Sequence, residues 1–185
     1  MTPPVRGRDK LIVAGLMLAA AATAAGLAGF AAGAAWEIAG LPPLGAPGSA
    51  AVVLMALAAD AAYSRLSRPR PWSVGRQVPR EWSRLFSART VAVLYGARLG
   101  VGPLTILPTW LWWAATAVGA SAGVWHSVAV AVAFAAVRVL VMVGLAQHIA
   151  SAAAPRMARI MASEPRARAS CAAVGTLVCA VMLIW

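Results

Sequence analysis

Residues 91–116 read VAVLYGARLGVGPLTILPTWLWWAAT, an apolar run that is long enough to cross a lipid bilayer. Two prolines lie in the middle of this run. Because proline has no backbone N–H to donate, Pro103 and Pro108 each remove one hydrogen bond from a helix, and nearby glycines weaken the same turns. The run therefore predicts a membrane-spanning helix that is kinked or broken at Gly100, Gly102, Pro103 and Pro108.

Apolar segments of similar character occur along the rest of the chain. Together they predict five spans, at about residues 11–36, 49–64, 91–116, 124–147 and 169–185. Of the 185 residues 62% are hydrophobic and 11% are charged, whereas soluble domains average about half and about a quarter. The composition excludes an ordinary soluble domain. It predicts a single integral membrane domain over residues 1–185, an all-α bundle of transmembrane helices.

The placement of charge predicts the orientation of these spans. Lysine and arginine occur before the first span, in a basic linker at 65–90, and between the fourth and fifth spans, but not in 39–48 or 117–123. By the positive-inside rule, the N-terminus is cytoplasmic and the C-terminus lies outside. Tryptophans favour membrane boundaries, and most of them fall at the predicted outer ends of spans: Trp36, Trp110, Trp112, Trp113, Trp125 and Trp185.

The net charge of +11 raises the question of a nucleic-acid partner. The basic residues lie between apolar runs and form no soluble basic face, so we expect anionic lipid of the inner leaflet as their partner and no nucleic acid. The first apolar run is longer than that of a signal peptide, so we expect it to be retained as a span. The alanine-rich and arginine-rich composition suggests a bacterial protein of the inner, or cytoplasmic, membrane.

The basic linker predicts one further helix. After Pro79, the residues Trp82, Leu85, Phe86 and Arg89 recur at helical spacing on one side. This pattern is typical of a short helix that lies in the inner headgroup region and binds lipid headgroups. The predicted headgroup ligands are Arg80, Trp82, Arg84 and Arg89. A solvated basic loop accounts for the charge equally well.

Charged residues within the predicted spans are the main pointers to function, because a charge near the bilayer centre costs a few kcal/mol and is retained for a role or a partner. Asp60 lies about 7 Å from the inner end of its span, and Arg98 and Arg138 both lie about 14 Å deep from the same side. One acid cannot neutralise two arginines. Two interpretations remain open: a salt bridge with snorkelling arginines, or a polar cavity for an anionic or polar solute.

Hydroxyl groups of the third span could line such a cavity. They belong to Tyr95, Thr105 and Thr109, and we count them with Asp60 and the two arginines as candidate binding residues. No metal-binding or phosphate-binding motif occurs, and we identify no nucleophile or general base, so we expect no metal, no cofactor and no catalytic residue. Cys171 and Cys179 are too far apart on a helix for a mutual disulfide.

The segment GVGPLTILPTW, residues 100–110, resembles the proline-bracketed broken helix of the CcdA/DsbD thiol-electron transporters, within the wider group of small LysE-like transporters. Pro103 and Pro108 correspond to the helix-breaking prolines, and Leu104 stands where that family has a reactive cysteine. The resemblance is confined to this part of the chain. It implies a discontinuous helix that lines a site at the membrane midplane, and it does not carry over the thiol chemistry.

Three functions follow as hypotheses. The first is a small membrane protein that binds or transports a small polar or anionic solute at a broken-helix site, in a homo-oligomer if five spans enclose too little volume. The second is a non-catalytic subunit or assembly partner of a larger membrane complex. The third is a thiol electron relay through Cys171 and Cys179.

Overall fold

The computed structural model describes residues 7–66, 82–104 and 110–149. These residues form helices and no strand, in the order α1 Gly7–Ile38, α2 Gly45–Leu66, α3 Trp82–Leu85, α4 Ala88–Gly100, α5 Leu111–Ser121 and α6 Val124–Ile149. Alanine, the commonest residue of α1 and α2, has the highest helix propensity, and α6 combines alanine with valine. Helices also suit a bilayer because each satisfies its own backbone polar groups. The all-helical prediction is confirmed for these residues.

Three helices are long and apolar enough to cross a membrane. Their apolar segments are Asp9–Ile38 in α1, Gly45–Ala62 in α2 and Val124–Gly144 in α6. The predicted spans at 11–36, 49–64 and 124–147 coincide with these helices. The predicted span at 169–185 lies outside the described residues.

The third predicted span, at 91–116, is divided between two described helices. α4 ends at Gly100, and α5 begins at Leu111 and continues to Ser121. Trp110, Trp112 and Trp113 therefore lie at the beginning of α5, about 15 Å of helix away from the turn that leads into α6. The prediction that these three indoles lie at the outer boundary of a membrane stays a prediction.

α1 and α4 are in backbone contact. A Cβ at Gly96 would overlap the carbonyl oxygen of Met17, and a Cβ at Gly100 would overlap that of Ala21. Glycines four residues apart permit this close approach between helices in a membrane. Because the residue numbers of the two partners rise together, α1 and α4 run parallel.

α1 also packs against α6, in the opposite direction. Gly26 of α1 lies against Val132, and Gly33 lies against Val124. Since the numbers fall on α6 as they rise on α1, these two helices are antiparallel. α1 thus lies between α4 and α6 and makes the most extensive contacts in the described part of the chain.

The core between these three helices consists mainly of small side chains. Its fully buried members are Ala21, Ala25, Leu99, Ala135 and Val139. Dispersion contacts between closely spaced backbones drive helix association in a bilayer, where lipid competes for apolar surface. A core of alanines brings the backbones of α1, α4 and α6 close together at the level of Leu99.

The described part of the basic linker contains one helical turn, α3, which ends at Leu85. Ser87 then has an extended backbone, and its Oγ accepts a hydrogen bond from the N–H of Thr90 at 3.2 Å. Ser87 is therefore the N-cap of a new helix. Arg89 belongs to α4, so the prediction of one interfacial helix that joins Trp82 and Leu85 to Arg89 is wrong.

Candidate functional site at the α4–α5 junction

α4 ends because of the two residues that follow its C-cap. Gly102 has a φ of +67°, and its N–H donates to the carbonyl oxygen of Leu99 at 3.4 Å. A glycine in the left-handed region just after the C-cap is a common end of a helix, because a side chain there is strained. Pro103 follows and cannot continue the helix. The predicted break at Gly100, Gly102 and Pro103 thus coincides with the end of α4.

The beginning of α5 covers this turn. The indole of Trp112 lies so close to Gly102 that a Cβ on the glycine would overlap the ring. Trp112 also contacts Trp113 edge to face, with ring centroids 4.7 Å apart. Glycine at 102 is therefore required twice, by its backbone conformation and by the indole above it.

Both arginines predicted to lie within the spans bind backbone carbonyls at the junction, one at the end of α4 and one in the segment just beyond it. Nε of Arg98 donates to the oxygen of Leu104 at 2.9 Å. NH1 of Arg138, which reaches across from α6, donates to the oxygen of Leu99 at 3.3 Å. The carbonyl end of a helix carries a partial negative charge, so cations there are stabilising. Backbone carbonyls near the end of α4 are therefore among the partners of both arginines.

Asp60 makes the corresponding contact at the other half of the junction. Its Oδ1 accepts a hydrogen bond from the backbone N–H of Trp110 at 2.9 Å. Trp110 is the N-cap of α5 and has no side-chain capping bond of its own. The amide end of a helix carries a partial positive charge, so the carboxylate from α2 stabilises it. Charges of opposite sign thus lie at the two helix ends that meet here.

The junction lies beside the N-terminal half of the apolar part of α1. The register set by Gly96 on Met17 and Gly100 on Ala21 places Leu99 beside residue 20 of α1. That position is ten residues beyond Lys10, or about 15 Å along the helix. Arg98 and Arg138 both contact carbonyl oxygens close to this level, while their predicted depth in a bilayer stays a prediction.

Aromatic rings accompany the Arg138 guanidinium. Its carbon lies 5.7 Å from the centre of the Phe134 ring on the same helix, within range of a cation–π interaction. Tyr95 of α4 packs against the buried core. The half-buried Arg138 therefore contacts a carbonyl oxygen of α4 and the Phe134 ring.

The other predicted site residues are divided between described and undescribed parts of the chain. Thr105, Pro108 and Thr109 lie outside the described residues, as do Arg80, Cys171 and Cys179. Trp82 is half-buried in α3, Arg84 is in the same turn, and Arg89 is exposed in the first turn of α4. Among the described residues, no three His, Cys, Asp or Glu side chains come together as metal ligands would.

Two functional groups of the junction are absent from the sequence interpretation. They are the N–H of Trp110 and the indole of Trp112. The carbonyl oxygens of Leu99 and Leu104 had a sequence signal, because Pro103 and Pro108 are the residues whose missing N–H groups would have bonded to them in a helix. The spacing of Gly96 and Gly100 was a usable signal for close packing, since glycines four residues apart let membrane helices approach each other.

Comparisons of the chain with protein-family models, with curated proteins and with solved structures find no match.

Proposed function

We propose that the α4–α5 junction binds a small anionic or polar solute and that the protein transports this solute across a membrane. The observation that supports the proposal most strongly is the set of charges at the junction: two arginines at the carbonyl end of α4 and one aspartate at the amide end of α5. Discontinuous helices in transporters place backbone polar groups and helix dipoles at a midplane site in the same way.

The balance of charge favours an anion. Arg98 and Arg138 contribute two positive charges and Asp60 one negative charge. A guanidinium has five N–H donors in a fixed fork, so it can bind a carbonyl oxygen and a second acceptor at the same time. An anion that approaches the end of α4 would meet both guanidinium groups at one depth. A carboxylate, a phosphate or another oxyanion is the expected class of solute.

The proposal requires the junction to lie within a bilayer. In the proposed topology, three crossings are made by α1, α2 and α6. One broken crossing is made by α4 and α5 together, and the fifth is assigned to residues 169–185. The N-terminus is cytoplasmic, and the membrane is the inner membrane of a bacterium. The parallel direction of α1 and α4 and the antiparallel direction of α6 support this topology, because the first and third spans cross in one direction and the fourth in the other.

The direct experiment is uptake of small anions by proteoliposomes that contain the full-length protein. Radiolabelled acetate, phosphate, sulfate and bicarbonate are the probes, and empty liposomes set the background. We expect uptake of at least one probe. The same probe should raise the melting temperature of the purified protein, since a ligand at 100 times its Kd stabilises the folded state by about 2.7 kcal/mol.

Paired arginine variants separate a solute site from a general effect of positive charge. Arg138→Gln should abolish uptake and the thermal shift, and Arg98→Lys should weaken both. Arg89→Gln is the matched control, because Arg89 is an exposed arginine in the first turn of α4 and should leave both unchanged. Absence of uptake for every probe, or equal uptake by Arg138→Gln and wild type at equal protein content, would refute the proposal.

The packing of α2 favours the second candidate, a subunit of a larger membrane complex. Among the described helices α2 packs mainly against α5, and its side chains Leu54 and Met55 are exposed. A partner chain would cover this apolar face of α2. Purification in mild detergent should then yield a stoichiometric partner, whereas a fully active protein without a partner would contradict this candidate.

A further inference from the structure

An apolar groove lies between α1 and α4, on the side of the N-terminal halves of both helices. Its volume is about 350 Å³, and its walls are almost entirely apolar. α1 contributes Val13 and Met17, and α4 contributes Val91, Ala92 and Tyr95. Phe86, which precedes α4, closes one end. The volume lies within the range of ligand sites, about 300–1,000 Å³.

Two exposed cations, Lys10 and Arg89, lie on the two helices that form the groove, near its N-terminal end. Continued from Gly96 and Gly100, the parallel register brings Ala92 to the level of Val13, both of which line the groove, and Arg89 to the level of Lys10. The side chains of Lys10 and Arg89 are both exposed. Asp9 is the acidic neighbour of Lys10 and is also exposed, so the three described charges at this level sum to one positive charge.

The amide end of α4 adds to this positive potential, because α4 begins at Ala88, which also lines the groove. The lining residues of α4 extend from Ala88 to Tyr95, about 10 Å along the helix axis. A narrow apolar slot with a cationic mouth matches an amphiphile that has an anionic head and a hydrocarbon tail.

We propose that this groove holds one acyl chain of an anionic phospholipid, with the lipid phosphate between Lys10 and Arg89. The apolar walls would bind the acyl tail, and the cations would favour an anionic headgroup over a zwitterionic one. The site is separate from the α4–α5 junction, since its mouth lies about 15 Å from the level of Leu99.

The test is native mass spectrometry of the full-length protein, delipidated and then exposed to phosphatidylglycerol or to phosphatidylcholine with the same acyl chains. We expect one tightly retained phosphatidylglycerol and much weaker retention of phosphatidylcholine. Replacing one cation, Lys10→Gln or Arg89→Gln, should lower the preference about five-fold, the usual effect of one basic side chain near an anionic surface. Glu37→Gln, at the opposite end of α1, should leave it unchanged.

A second set of variants tests whether the acyl tail of the lipid binds in the groove. Ala88→Trp should fill the groove from its exposed edge and prevent retention of either lipid, and Val13→Trp serves if the first variant does not fold. Leu54→Trp on α2 is the matched control. Inorganic phosphate at millimolar concentration should not displace the lipid, because the tail contributes most of the binding.

Equal retention of the two lipids, or displacement by phosphate alone, would overturn the proposal. Retention of phosphatidylglycerol by the groove-filled variants at the wild-type level would also overturn it. If no lipid is retained, the groove is covered by another segment of this chain or by another copy, and the proposal is wrong. None of these outcomes depends on solute uptake, so the test is independent of the proposed function.

Discussion

Replacement of Asp60 tests how the α5 half of the junction is stabilised. Asp60→Asn keeps an oxygen that can accept the hydrogen bond of the Trp110 N–H but removes the negative charge. Asp60→Leu removes both. The loss of charge near a partly buried helix end should cost about 0.5–1 kcal/mol. Loss of a hydrogen bond to a charged acceptor, with the amide left unsatisfied, should cost about 1.5–3 kcal/mol.

Two measurements in lipid nanodiscs or mixed micelles check these expected losses of stability. The first is the free energy of unfolding of the inserted protein, which should fall in the order wild type, Asn variant, Leu variant. The second is hydrogen exchange at the N–H of Trp110. We expect faster exchange at Trp110 in the Leu variant and little change at Ser127, whose N–H is bonded to Gly123 at the start of α6. A Leu variant as stable as wild type, with unchanged protection at Trp110, would refute the reasoning.

Two glycine predictions follow from the same contacts. Gly96→Ala should destabilise the protein by about 1–3 kcal/mol, because its Cβ overlaps the carbonyl oxygen of Met17. Gly15→Ala, with no neighbour within 4 Å, should stabilise it by about 0.5–1 kcal/mol. Chemical unfolding of both variants checks these opposite signs, and a change of the same sign in both would contradict the packing of α1 on α4. Gly102→Ala should lower the free energy of unfolding by at least about 1 kcal/mol because of the positive φ at this position. The overlap of its Cβ with Trp112 should also change the tryptophan fluorescence of the folded state. An unaltered spectrum with unaltered stability would exclude that placement of the indole.

Much of the helical framework could be predicted from the sequence because its signal is strong. Long runs of alanine and leucine can only satisfy their backbone in a bilayer as helices, and α1, α2 and α6 occur where those runs lie. The end of α4 was also predictable, since Gly102 favours a left-handed turn and Pro103 prevents the helix from continuing. Both signals are local, so they need no knowledge of the fold.

The extent of α5 was not predictable in the same way. Residues 117–121 are small and weakly apolar, so a hydropathy pattern gives no reason to extend a helix through them. The helix continues to Ser121 because α5 packs on α6, where Gly119 lies against Ser127 and Val130. Tertiary contact therefore decided where α5 ends.

The charged residues of the junction were predictable, and so were the carbonyls of Leu99 and Leu104 that Pro103 and Pro108 leave without a helical donor, but the pairing of each charge with its partner was not. The cost of placing Asp60, Arg98 and Arg138 in apolar spans identifies them as special whatever the fold. Their observed partners include a backbone N–H and two backbone carbonyls, which every residue carries. Only the three-dimensional arrangement of α2, α4, α5 and α6 shows which of these groups they meet.

The depth of the α4–α5 junction in a bilayer can be measured with a spin label at Leu104, which is 39% exposed and accepts the Arg98 hydrogen bond. The label is attached to Leu104→Cys in a background without Cys171 and Cys179. A label at Leu140, on the exposed face of α6, is the lipid-facing control at a similar level. We predict a label about 15 Å below the inner headgroups that collides readily with a water-soluble nickel complex, while the label at Leu140 collides mainly with oxygen. A label at headgroup depth, or one with the same collision profile as Leu140, would contradict a polar helix break inside the membrane.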